Sequence, residues 1–125
     1  MGTKGIIIGG GGHARVLIDI LLSKGKDIIG YTEKNSEHDI GLSEIHCIGN
    51  DEIILNYHPD KVFLVNGIGS VNTESLIIRE SIFKEFTARG YKFPVIISNH
   101  AIVSEFVKLQ DGVQIMPNAT VQSFA

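Results

Sequence analysis

From Ala101 onward the sequence repeats every six residues, and few folds can accept that period. Val103, Leu109, Ile115 and Val121 share one phase, and Ala101, Val107, Val113, Ala119 and Ala125 share a second. Each aliphatic residue is followed four positions later by a small or compact apolar one. A period of six with two inward positions fits a parallel β-helix, in which each flat face uses about six residues. An amphipathic helix would lose this phase, and Pro117 would interrupt it. The competing explanation is a β-meander with fortuitous spacing.

A β-helix buries its interior by stacking coils and generally needs about three repeats to be stable. With three faces per coil, residues 101–125 make little more than one. The pattern stops at "NATVQSFA" without a closing helix, so a fragment of a longer chain is the expectation. The alternative is a tail packed on whatever precedes it.

What precedes it alternates strands with helices, the pattern of a parallel sheet covered on both faces. "KGIIIG" (4–9) reads as a buried strand. Ala14, Leu17, Ile18 and Leu21 then recur at helical spacing toward a stop near Gly25. "DIIGYTE" (27–33) is a second strand, and "KNSEHDIGLSE" (34–44) a surface loop. "IGNDEIILNY" (48–57) predicts a short helix with Asn50 as N-cap and Asp51 and Glu52 in its first turn. "KVFLVNGIG" (61–69) is the third strand. The longest helix runs from Asn72 to Arg89, with Ile78, Ile82 and Phe86 on one face and Gly90 as its stop. "KFPVIIS" (92–98) is read as the fourth strand, placed at an edge by Pro94.

Between the first strand and helix lie four consecutive glycines. Gly9, Gly11 and Ala14 satisfy G-x-G-x-x-G/A, with Gly10 and Gly12 between them. Such a turn brings the backbone close to an anion, which the free N–H groups and dipole of the next helix attract. The plain alternative is a tight turn without a ligand. His13, in the first helical turn, is placed to donate to a phosphate or sugar, or is a surface residue. Glu33 ends the second strand, where a dinucleotide-binding domain puts an acid on ribose hydroxyls. It is equally explained as a solvated carboxylate. Asn66, Gly67, Ile68 and Gly69 form a second glycine turn, which an open parallel sheet would bring beside the first at its carboxyl edge.

Composition narrows the partners. Eleven Lys+Arg against fourteen Asp+Glu give a net charge of −3 and no basic run exceeds two residues, which argues against nucleic acid. Cys47, the only cysteine, excludes an internal disulfide and reads as a small packed thiol. No apolar stretch reaches about 18 residues, so no membrane span is expected. The N-terminus lacks a cleavable signal pattern, and a cytoplasmic protein is expected. His38, His46, His58 and His100 show no helical i,i+4 pair, so no metal site is indicated. His100 is retained as a possible junction site because two-part sites form at junctions. No G-x-S-x-G nucleophile motif occurs.

With these residues in place, "IIIGGGGHARVLIDIL", "IHCIGNDEIIL", "FLVNGIGS" and "NHAIVSEFVKLQDGVQIMPNATVQSFA" together resemble the N-terminal part of the bacterial sialic-acid/amino-sugar acetyltransferases. That family includes the UDP-4-amino-sugar N-acetyltransferases. The resemblance spans essentially the whole chain, with the motifs in the family's order. It implies a Rossmann-like nucleotide-sugar-binding domain over residues 1–98, followed over 99–125 by the first coil of a left-handed hexapeptide-repeat β-helix. It also implies acetyl-CoA as acyl donor and a homotrimer with active sites between neighbouring β-helices. Gly9–His13 and Asn66–Gly69 would hold the nucleotide-sugar (UDP-, CMP- or GDP-linked), with Thr32 and Glu33 near the nucleoside. The family often has an acidic pair at that strand end, whereas this chain has Thr32 first. The family's catalytic histidine belongs to a later coil, beyond Ala125, and His100 does not match it. The chain as given is therefore expected to bind ligand weakly without catalysing. The alternative from another class is an NAD(P)-binding Rossmann domain of an oxidoreductase or redox sensor, in which the six-residue repeat has no place.

Overall fold

The computed structural model describes residues 3–34 and 44–123. Four parallel strands form the sheet: β1 (Lys4–Ile8), β2 (Ile28–Thr32), β3 (Cys47–Gly49) and β4 (Val62–Asn66), in the order β3-β2-β1-β4. Helix α1 (Gly12–Ser23) connects β1 to β2. Asp51–Asn56 form the expected short helix as a 3-10 helix, with the Asn50 side chain accepting from the Glu52 N–H. Helix α2 (Thr73–Ala88) follows β4 and is closed by a reciprocal Asn72–Ser75 capping box. Two left-handed glycines, Gly25 (φ 72°) and Gly90 (φ 93°), follow the two helices as expected.

The alternation of β1 divides the core. Ile7 faces α1 and packs with Ala14, Leu17, Ile18 and Leu21, while Ile6 and Ile8 face the other side with Ile54, Leu64, Phe86 and Tyr91. All three isoleucines are fully buried. Each contributes about 1.5–3 kcal/mol by leaving water. Tyr91 locks the second layer by placing its hydroxyl against the carbonyls of Ile54 (3.0 Å) and Tyr57 (2.6 Å).

Two expectations are corrected. The fourth strand of the sheet is Cys47–Gly49, not the 92–98 segment. There Lys92 meets the β4 edge, its carbonyl accepting from Leu64 N–H at 2.9 Å. Two residues later Pro94 has no N–H to offer, and the chain turns away. Ile96–Ile97 instead form β5, which pairs with β7 (Gln114–Ile115). The inward stripe of α2 is also rotated. It runs through Ser75, Arg79, Ile82, Phe83 and Phe86, while Ile78 is 45% exposed.

The six-residue period takes the form expected of a coil. β5 pairs with β7, and β6 (Ile102–Val103) with β8 (Thr120–Val121), in parallel and always eighteen residues apart: Ile96 with Gln114 and Ile102 with Thr120. Eighteen is three sixes, one full coil. Residues of the two predicted inward phases from Ala101 to Val121 are all half-buried or buried, whereas Ile102, Glu105, Phe106, Lys108 and Gln110 between them are exposed. The coil is seated on α1, where Ile96 joins the α1-side core and Met116 packs against it. The segment 35–43, which holds most of the predicted loop and His38, lies outside the described residues.

Candidate functional site at the carboxyl edge of the sheet

The chain leaves β1 through Gly9, whose φ of 96° is a left-handed value that a side chain would strain. Gly9 N–H donates to the Thr32 carbonyl at 2.9 Å, holding the turn to the end of β2. Gly10 N–H donates to Glu33 Oε2 at 2.8 Å. Glu33 therefore braces the glycine turn, and a Cβ on Gly10 would strike Tyr31 and that carboxylate.

Gly11 and Gly12 differ from these. Among the described residues no side chain or distant backbone atom lies within 4 Å of where a Cβ would stand on either. Gly11 is the N-cap of α1, with extended backbone (φ −85°, ψ −164°) that any residue can adopt. Among the described residues no side chain caps this helix, and its first turn carries no acid. The positive end of α1 is therefore open, whereas the 3-10 helix and α2 are each capped by an asparagine.

The second glycine turn lies against the first. Gly67 N–H donates to the Ile8 carbonyl at 2.8 Å. A Cβ on Gly67 would stand 2.6 Å from that oxygen and 2.9 Å from Ala14 Cβ, so the approach requires glycine. The Ile68 side chain packs on Gly9, and Gly69 sits over His13, its Cβ direction 3.5 Å from His13 Cβ. Asn66 is internal scaffolding: its Nδ2 donates to the Arg79 carbonyl (2.9 Å) and its Oδ1 accepts from Ile68 N–H (3.3 Å). Thr32 is fully buried and donates to Asp51 Oδ1 at 2.7 Å, so it acts on the edge by orienting Asp51.

Two residues that the sequence did not single out complete the edge. Arg79 reaches from α2 to the Ile68 carbonyl (2.6 Å), the Asn66 carbonyl (3.3 Å) and Gln114 Oε1 (3.0 Å). Its acceptors are neutral, and burial lowers its pKa from the ordinary arginine value. Gln114, on β7, donates from Nε2 to the Asn66 carbonyl (2.9 Å) and meets His13 Nε2 at 2.7 Å. The glycine turns, α2 and the coil thus share one hydrogen-bonded network.

His100 is exposed. Its N–H donates to Ser98 Oγ (3.1 Å) and its carbonyl accepts from Asn118 N–H (2.9 Å). Cys47 is half-buried in β3 with Sγ 3.5 Å from the Gly49 carbonyl. A cavity of about 340 Å³ lies between α2 and the coil, lined by Arg79, Glu80, Phe83 and Asp111. A larger one of about 870 Å³ opens at the amino edge, around Phe63, Pro94 and Ile96. Among the described residues no three His, Cys, Asp or Glu side chains gather as metal ligands, and no helix is long and apolar enough to cross a membrane.

A family model, the PglD N-terminal domain, matches residues 4–86. The chain belongs to that family. Among solved structures, it is similar to the acetyltransferase domain of PglB from Neisseria gonorrhoeae in complex with acetyl coenzyme A. That likeness has 24% identity and a TM-score of 0.81, and covers 98% of this chain and 57% of that one. It is also similar to PerB from Caulobacter crescentus in complex with CoA and GDP-perosamine, at 23% identity and a TM-score of 0.81 over 96% of this chain and 54% of that one. At these identities the likeness establishes the fold. The chain spans little more than half the length of these structures. No curated protein matches the sequence.

Proposed function

We propose that this PglD N-terminal domain chain is the nucleotide-sugar-binding part of an acetyltransferase that moves acetyl from acetyl-CoA to an amine or hydroxyl of a nucleotide-linked sugar. The observation that carries the reading is the open positive end of α1. Gly11 and Gly12 leave space and backbone N–H groups there, directly beside the second glycine turn. A diphosphate fits that combination of donors, dipole and room.

The strand order supports one direction for the ligand. Glu33 and the Thr32–Asp51 pair lie on the β2–β3 side of the phosphate turn, while Asn66–Gly69, His13 and Gln114 lie on the β4 side. The nucleoside takes the first side, and the sugar points toward the second, where the coil begins. Acetyl-CoA supplies an activated thioester and belongs with the coil stack; no described residue is assigned to it or to the general base. A homotrimer would bring neighbouring coils to the sugar end.

The test is a thermal-shift series on the full chain with UDP-sugars, CMP-sialic acid, GDP-sugars and NADH. Stabilisation by one nucleotide-sugar class and not by NADH is expected. Stabilisation by NADH alone would replace this reading with the dinucleotide one.

A further inference from the structure

Gln114 places a proton on one nitrogen of an imidazole at the site, and the hydrogen bonds leave little freedom in which one. Arg79 Nη2 is only a donor, so the Gln114 atom 3.0 Å away is the amide oxygen. The Asn66 carbonyl is only an acceptor, so the Gln114 atom 2.9 Å away is the amide nitrogen. The amide is thereby oriented by groups that cannot reverse their roles. Its oxygen also faces His13 Nε2 at 2.7 Å. That nitrogen must carry the proton.

In neutral imidazole the other nitrogen is then a bare acceptor. His13 is half-buried, and among the described residues no buried side-chain nitrogen lacks a partner. Among the described residues Nδ1 has no hydrogen-bond partner, so it is not fully buried. We infer that Gln114 is a positioning residue that holds His13 as its Nε2–H tautomer, so that Nδ1 accepts a hydrogen bond from a hydroxyl or amine on the sugar of a bound nucleotide-sugar. His13 at this edge is thus a reader of donors on the sugar and not a donor to phosphate. The tautomer stands on the geometry alone, whereas the sugar assignment rests on the function proposed above.

Two measurements separate the parts. Nitrogen-15 spectra of the histidines in the full chain, in alkaline buffer, should show His13 with a pyrrole-like Nε2 and a pyridine-like Nδ1. Gln114→Glu, which keeps an acceptor toward His13 and Arg79, should preserve that signature. Gln114→Met, similar in volume without the acceptor, should blur it. A wild-type His13 protonated on Nδ1 overturns the inference even if ligand binds.

For the ligand, titration calorimetry compares UDP with a UDP-linked 4-amino-sugar. Loss of one ordinary hydrogen bond weakens the amino-sugar conjugate about 3- to 10-fold in Gln114→Met, with UDP changed less than about 2-fold. An equal loss for both overturns the sugar contact. If wild type binds neither, the function proposed above fails, and the imidazole spectrum still decides the role of Gln114.

Discussion

Replacing Gly12 with alanine separates what the fold requires from what a ligand requires. Gly12 opens α1, in helical backbone, and among the described residues no side chain or distant backbone atom lies within 4 Å of the position an added Cβ would take. The methyl therefore meets no steric penalty and reduces the freedom of the unfolded chain, which stabilises by about 0.4–1 kcal/mol. For a domain of this size that raises the melting temperature by roughly 2–4 °C. If a diphosphate rests against the helix end, the same methyl stands in its path. Displacing one charge-assisted hydrogen bond costs about 1.5–3 kcal/mol, or roughly 10- to 150-fold in affinity. The assay pairs thermal melting of the free chain with calorimetric titration of the best-bound nucleotide-sugar. A variant that is more stable yet binds as tightly as wild type would refute the phosphate cradle. A less stable one would refute the open space on which the reasoning depends.

Gly67→Ala should behave in the opposite way. Its Cβ would crowd the Ile8 carbonyl at 2.6 Å, a backbone atom with little room to yield, so destabilisation by about 2–3 kcal/mol is expected in urea unfolding. Thr32→Val removes the buried donor to Asp51 and should cost about 1–2 kcal/mol by the same measurement. Tyr91→Phe removes the hydroxyl that meets two carbonyls and should cost a similar amount at neutral pH. Burial raises the Tyr91 pKa above the ordinary tyrosine value, with Arg89 opposing more weakly. The neutral phenol is thus favoured by folding. Its contribution is complete below about pH 10 and lost as pH rises through the folded-state value. Unfolding between about pH 8 and pH 11 should show wild type losing stability more steeply than Tyr91→Phe, and parallel curves would contradict the assignment.

Features set by local pattern were legible in the sequence, and features set by distant partners were not. The triple isoleucine, the helical spacing of α1 and the Asn50 cap each act within a few residues. β3 carries no signal in the sequence because three half-buried residues after an irregular segment show no period. The 92–98 segment reads as a strand of the main sheet, although the six-residue repeat already extends into it. Val95 and Ile97 continue the two phases of the repeat one step earlier, at six residues before Ala101 and Val103. β-Branched composition alone cannot separate a sheet strand from a coil strand. Ile78 looked like a core residue because it is apolar. The inward position belongs to Arg79, whose guanidinium satisfies carbonyls of the second glycine turn. Both glycine turns were found by motif, while Arg79 and Gln114 join the edge through contacts that no local spacing encodes.

The wrongly assigned strand matters for the site. Had residues 92–98 joined the sheet as a fourth strand, the edge beyond β4 would have been closed by a neighbour of the same kind. Instead the chain leaves β4 at Lys92, and Ile96 is buried against α1. The parallel register then places Gln114 opposite Ile96, facing the same way, toward the first turn of the helix that Ile96 covers. The position of Gln114 beside His13 is therefore a consequence of the eighteen-residue coil length. A lengthened coil would keep the glycine turns intact and still lose the His13 contact. In this chain the first glycine turn and the tautomer of its histidine are thus specified separately, the first by the sheet and the second by the coil.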